Sequence, residues 1–402
     1  MINNNLMQYL YISALSSERI IQLIHKQTGT NPGYAVQKFS RLLLKGFVSN
    51  GADIATLSAI PISSKMWKKY VWTEKQEKEN GIEYNYIPFI NLPIIRHICL
   101  CIYTFFYVLF WGLKDRKNRY IICDVLNISL CMSAVCAARL IGLKRVGVVT
   151  DLPGLMMGQS KQSSVMKAIV RINKSYLSSF THYVLLTEQM NSVVNTHNKP
   201  YIIMEGLADI GQFTSDAILP PKHFPKIVMY AGGLHERYGL KMLVEAFMQL
   251  DNKDWNLLIY GSGPFVDELK RYCESDSRIL YKGVVPNKEV VEAELSATLL
   301  VNPRPTHEEF TKYSFPSKNI EYMASGTPLL TTQLPGMPQE YNDYVFLFDE
   351  ETVDGYKNKL SEVFSLPSNE LSSKGQLARE FIQFHKNNVL QAGRIIDFLS
   401  CN

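Results

Sequence analysis

Missing from this sequence are any CxxC pair, any internal repeat, any low-complexity tract and any apolar run of full bilayer length. Its seven cysteines (Cys99, Cys101, Cys123, Cys131, Cys136, Cys273, Cys401) have no histidine at metal-ligand spacing. Neither a disulfide framework nor a structural zinc site is therefore encoded, and a reducing, cytosolic compartment is expected. The first residues, MINNNLMQYLYISALSSERI, lack a basic segment leading into an apolar stretch and a small-residue cleavage site. Export is not expected, and the stretch reads as a first buried strand. No clear RNA- or DNA-binding module is present, so nucleic acid is not an expected partner.

What the chain does contain is 46% hydrophobic and 20% charged residues over 402 positions, enough for two or three domains with full cores. Short β-rich apolar runs alternate with helix-period segments, the pattern of parallel sheets with crossover helices. The runs lie near 7–14, 53–60, 84–89, 119–126, 145–150, 182–187 and 200–204, then near 226–232, 255–260, 278–282, 298–302, 327–332 and 344–348. The expected fold is α/β, with two doubly wound Rossmann-like domains. The proline-bearing stretch within 205–225 marks the join. The expected division is a first domain over 1–205, a second over 206–385 and a C-terminal helix over 386–402 packing back toward the first. Helical periodicity runs from about Ser373 to Leu399.

Charge divides unevenly. Residues 1–205 hold 23 Lys/Arg against 11 Asp/Glu, and the remainder 19 against 26. A basic first half suits an anionic partner, with a membrane surface or a polyanionic acceptor ranked first, although such asymmetry also arises in soluble two-domain enzymes. Two helices carry cationic stripes: one starting at Asn31 and Pro32 with Lys38, Arg41 and Lys45, the other with Lys167, Arg171 and Lys174. Either stripe could face anionic lipid or simply water. Between them, Ile98–Leu113 is uncharged and mostly apolar over 16 residues. Because spanning takes about 20, the segment is expected as a helix buried in the first domain, with partial membrane insertion and then a true span as the alternatives.

The most informative stretch is NPRPTHEEFTKYSFPSKNIEYMASGTPLL, residues 302–330. Pro316 and Gly326 bracket a helix over 316–325. Its start presents unpaired amides and the positive end of a dipole, and Ser314, Ser317 and Lys318 crowd it with donors suited to phosphate. Glu321, a turn further on, has two acceptor oxygens for the vicinal hydroxyls of a ribose. Two glycine turns follow strands elsewhere, at Gly232 and Gly233 and at Gly261 and Gly263, where a ligand can approach bare backbone. Singly these turns are common in any α/β protein. Together the three would share one sheet edge.

On these motifs the second half resembles the nucleotide-binding domain of the retaining glycosyltransferases of GT-B architecture, family four. The order AGGL, LVEAF, LLIYGSGP, ILYKGVVP, LLVNPRP and FPSKNIEYMASGTPLL carries the resemblance over about 200–350; VGVVTDLPG and EGLADIGQF are looser echoes. The resemblance implies two domains facing across a cleft. It also implies transfer of a sugar from a nucleoside-diphosphate donor, uridine-linked, with retention and without a metal or other cofactor. The residues it leads to for the donor are Gly232, Gly233, Arg237, Gly261, Gly263, Arg304, Tyr313, Ser314, Phe315, Ser317, Lys318 and Glu321. Lys318, Glu321 and, in the first domain, Asp151 are the expected catalytic residues.

The chain departs from the family in three places. The family's other glutamate, eight positions before Glu321, is replaced by Tyr313, and the first glycine turn has Gly233 and Tyr238 where an arginine and a lysine usually meet the phosphates. Lys318, Arg237 and Arg304 are the candidate replacements. No histidine follows the strand before Thr150 and Asp151, so Asp151 either contacts substrate or caps the next turn. His307, Glu308 and Glu309 read as a solvated loop cluster. A basic first domain points to a lipid-linked saccharide acceptor at the cytoplasmic face of a membrane, in surface polysaccharide assembly. A nucleotide-sugar epimerase and a non-catalytic partner subunit are the rival readings; oligomeric state is not encoded legibly.

Overall fold

The computed structural model describes residues 7–30, 32–152, 175–212 and 226–401. The chain forms two compact units, residues 1–207 with 388–402, and residues 208–387. The helix containing Lys167, Arg171 and Lys174, the proposed cap Asn31 and much of the proline-bearing join lie outside the described residues.

In the first unit, β1 (Gln8–Ser13), β2 (Asp53–Ser58), β5 (Ile82–Tyr86), β7 (Arg119–Asp124), β8 (Lys144–Val149), β9 (His182–Leu185) and β10 (Tyr201–Ile203) form a sheet with β4 (Glu77–Glu79). The strand order is β10-β9-β8-β7-β1-β2-β5-β4, parallel throughout except for β4 against β5. Helices cover both faces, so a central strand such as β1 is apolar without alternation, and Tyr9, Leu10, Tyr11 and Ile12 are all buried. A separate antiparallel ribbon joins β3 (Val71–Trp72) to β6 (Phe89–Ile90).

The apolar 98–113 segment lies in the helix α3 (Pro93–Lys114), which is not the buried core helix the sequence suggests. Leu100, Thr104, Val108 and Gly112 face inward, but only 17% of its most apolar window is buried. By length and composition the helix could cross a membrane. Hydropathy registers how apolar a helix is; it carries no information on whether a neighbour covers each face. The first cationic stripe also changes meaning. The helix α2 (Tyr34–Ser49) has Gly33 rather than Asn31 at its N-cap, and Arg41 donates to the Ser16 carbonyl at 2.9 Å and pairs with Glu18 at 3.0 Å. That cation is committed within the fold.

Periodicity over 373–399 predicts one helix; there are two, Ser368–His385 and Asn388–Cys401, broken at Lys386 and Asn387 where the chain passes from the second unit to the first. The Asn388 amide donates to the Leu42 carbonyl at 3.1 Å, Asn50 to Val389 at 2.8 Å and the Tyr120 hydroxyl to Leu399 at 2.9 Å, which fastens the last helix to the first unit.

In the second unit all strands are parallel in the order β13-β12-β11-β14-β15-β16. They are β11 (Lys226–Gly233), β12 (Trp255–Ser262), β13 (Ile279–Gly283), β14 (Leu299–Asn302), β15 (Leu329–Thr331) and β16 (Phe346–Leu347). Under one face Trp255 stacks on Phe364 with centroids 3.8 Å apart and planes 6° from parallel. Trp255 is fully enclosed, and the residues around it come from strand and helix alike, so the gap left by truncation cannot close. Trp255→Ala is expected to cost about 3–5 kcal/mol of stability, read from the shift of the denaturant midpoint.

Candidate functional site

The second sheet's strand order turns back on itself between β11 and β14, and ligands of open parallel sheets sit beyond the carboxyl ends of strands at such a point. The predicted glycines are there. β11 ends on Gly232 and Gly233, and β12 passes through Gly261 toward Gly263. The helix Ser317–Ser325, between β14 and β15, adds its N-terminus to the same edge.

Crowding explains the absence of side chains. A Cβ on Gly232 would overlap the ammonium of Lys318, and one on Gly261 would overlap the Gly232 carbonyl oxygen. Lys318 donates to the Ala231 carbonyl and lies 5.0 Å from the centre of the Tyr230 ring. Tyr322 accepts from the Ala231 amide at 2.8 Å and donates to its carbonyl at 3.2 Å, while Tyr230 donates to Gly233 at 3.0 Å. Strand end and helix start are thereby locked together. Burial lowers Lys318 to about 8; Arg304 pushes in the same direction and Glu321 and Glu294 oppose it.

Arg237 and Arg304 approach one pair of rings. Arg304 is 5.1 Å from the centre of Tyr238 and 5.4 Å from Phe310; Arg237 is 5.5 and 5.3 Å from the same two. The Tyr238 and Phe310 rings meet edge to face at 5.9 Å. Each guanidinium has a buried Nε without a hydrogen-bond partner, and burial holds Arg304 below its ordinary value. Cations stacked on rings and short of acceptors form a ready anion site.

The helix start adds donors. Pro316 occupies its N-cap and no side chain caps it, so first-turn amides remain for a ligand. Ser317 is exposed there, and Tyr313 and Ser314 are half-buried just before it. Phe315 is buried with its ring 5.3 Å from Tyr341, so it can offer a ligand only its backbone. Sequence reading missed Asn319. Fully buried, it accepts from Asn302 at 2.6 Å and ties the helix to the end of β14; a polar residue on an otherwise apolar helix face was the available signal.

Asp151 belongs to the other unit. It stands in the first unit just past β8, where its Oδ1 accepts from the Leu152 amide at 2.8 Å and burial raises its pKa. That contact is of the kind that shapes a turn. His307 is exposed and lies 3.7 Å from Glu351.

Residues 225–365 match the sequence profile of the family described as Glycosyl transferases group 1. No curated protein matches the chain significantly. Among solved structures, sucrose-phosphate synthase from Thermosynechococcus elongatus superposes with a TM-score of 0.66 at 15% identity, over 98% of this chain and 99% of that one. Anabaena HepE in complex with UDP gives 0.64 at 12%, over 98% and 100%. The lipopolysaccharide outer core galactosyltransferase WaaB, in apo form, gives 0.62 at 14%, over 98% and 99%. At these identities the likeness establishes the fold: two Rossmann-like domains of the GT-B kind.

A diphosphate bound here would keep Lys318 protonated, whereas the empty site releases that proton near pH 8. Affinity for a nucleoside diphosphate is therefore expected to be flat between about pH 7 and 8, where the ligand's terminal phosphate, with a second pKa of about 6, is already ionised. Above that window, affinity falls as pH rises, by up to about tenfold per unit. Calorimetric titration across this range checks it, with Lys318→Ala expected to bind more weakly and to lose the dependence.

Proposed function

We propose that this chain is a retaining, metal-independent glycosyltransferase. It moves a sugar from a nucleoside-diphosphate donor, uridine-linked, to a lipid-linked saccharide acceptor. The observation that carries the reading is the buried Lys318 in the uncapped first turn of the helix Ser317–Ser325, at the strand ends of an open parallel sheet, with Arg304 near enough to lower its pKa and Arg237 beside Arg304 over the rings of Tyr238 and Phe310. The profile match over 225–365 and the UDP held by HepE support it.

Negative charge grows on the diphosphate as the bond from the sugar's anomeric carbon to the phosphate oxygen breaks, while the acceptor hydroxyl bonds to that carbon and gives its proton to the departing phosphate. Fixed donors aimed at that charge lower the barrier because they are already oriented when it appears. Lys318, Arg304 and the amides of Ser317 and Lys318 take this role, Arg237 neutralises further along the diphosphate, and Glu321 accepts from the ribose hydroxyls. The bare backbone at Gly232, Gly233, Gly261 and Gly263 lets the donor lie close. Tyr313 and Ser314 border the sugar, with Tyr313 standing where relatives of this sequence pattern carry a glutamate. The first unit takes the acceptor, with Asp151 at its substrate side. Its excess of Lys/Arg suits a diphosphate-bearing lipid at the cytoplasmic face of a membrane, in the building of capsule, O-antigen or exopolysaccharide.

Turnover of UDP-sugars with a membrane extract as acceptor source tests this. Lys318→Ala is expected to lower kcat by about 10²–10³, and Glu321→Gln to raise KM for the donor with a smaller effect on kcat. Product formed at the wild-type rate by both variants would remove the site from the mechanism.

A further inference from the structure

We infer that α3 and the loop before β3 form a membrane-docking face, on which the protein lies with α3 parallel to the surface of an anionic bilayer. The inference rests on the proposed function for the presence of a membrane, and on the structure for the surface.

Ile94, Ile98, Ile102, Phe106 and Phe110 point outward along α3 and are 75, 51, 55, 50 and 62% exposed. Each four-residue step turns the helix by a further 40° or so, so this set covers about half its circumference over a length of roughly 24 Å. Isolated exposed apolar residues are ordinary; a continuous face of this size on a folded domain marks an interaction surface. Residues 84–114 contain no Asp or Glu.

The face continues beyond the helix. Asn91 donates through its amide to Tyr70 at 2.6 Å and through its side chain to Trp67 at 3.1 Å and Lys69 at 3.2 Å. This pins the loop against β6, directly before α3. Tyr70 and Val71 are 58 and 60% exposed there.

Charge identifies the occupant. Lys65 and Lys68 are exposed on the pinned loop beside Lys69, which lies 3.9 Å from Glu74, and Lys114, Arg116 and Lys117 are exposed at the far end of α3. An apolar face with cations at both ends complements acyl chains beneath anionic headgroups. A second copy paired about a twofold axis would instead set these cations against their own kind. Spanning is opposed by the inward side. There Gly112 lets Ile141 and Leu143 approach closely, and His97 meets Ser129 at 2.8 Å. Insertion across the bilayer would strip these contacts, whereas lying flat keeps them.

Sedimentation with vesicles of phosphatidylcholine, with or without phosphatidylglycerol, tests the inference. The wild type is expected to pellet with the mixed vesicles and only weakly with phosphatidylcholine alone. Phe106→Asp with Phe110→Asp is expected to weaken binding by roughly tenfold or more, and Lys114→Ala, Arg116→Ala and Lys117→Ala by roughly fivefold for each charge removed. Circular dichroism and the melting shift produced by uridine diphosphate should stay at wild-type values in both, which separates lost docking from lost folding. A wild type that stays in the supernatant, or an aspartate pair that pellets undiminished, overturns the inference. So does a dimer that the aspartate pair converts to monomer without any lipid binding. Vesicle binding without sugar transfer would instead count against the proposed chemistry alone.

Discussion

The site of the second unit is built around one contact: the ammonium of Lys318 fills the space where residue 232 has no side chain and bonds to the Ala231 carbonyl. Holding a cation there is costly, as the lowered pKa records. The cost is tolerable because carbonyl, ring and helix surround the charge from different directions. Tyr322 completes the lock by using both polar groups of the Ala231 peptide. The end of β11 and the start of the helix Ser317–Ser325 consequently cannot shift independently, and a site built on them is organised before a ligand arrives.

Around this lock the positive charge is distributed unusually. The first glycine turn carries no arginine or lysine at Gly233 and Tyr238. Arg237 and Arg304 come from separate connections and converge on Tyr238 and Phe310 instead. Beside the rings each guanidinium keeps a buried Nε without a hydrogen-bond partner. One cation thus comes from the turn itself, and Arg304 and Lys318 join it at the sheet edge by tertiary convergence.

The first unit shows that a charge count and a charge placement are different quantities. Its excess of basic residues includes Arg41, which is spent on Ser16 and Glu18, and Arg96, which donates to the Ile60 carbonyl and lies over the Phe89 ring. Others, among them Lys68 and Lys117, stand in water beside apolar surface. Only the second kind is available to a partner, and the composition weighs both alike.

Much of the architecture was legible in the chain. Alternating apolar runs and helix periods announced parallel sheets, because a strand covered on both faces must be apolar throughout. The pair Pro316 and Gly326 announced the helix between them, because only such residues suit its ends. Spacing alone put Lys318 and Glu321 a turn apart. Tertiary structure decided the rest. Which face of α3 is covered, where the 373–399 periodicity breaks, and that Arg237 and Arg304 share two rings all depend on neighbours distant in sequence. So does the seat of Lys318 against Gly232, 86 positions away. Local pattern is a property of consecutive residues and is read directly; burial and convergence exist only once separate segments have packed.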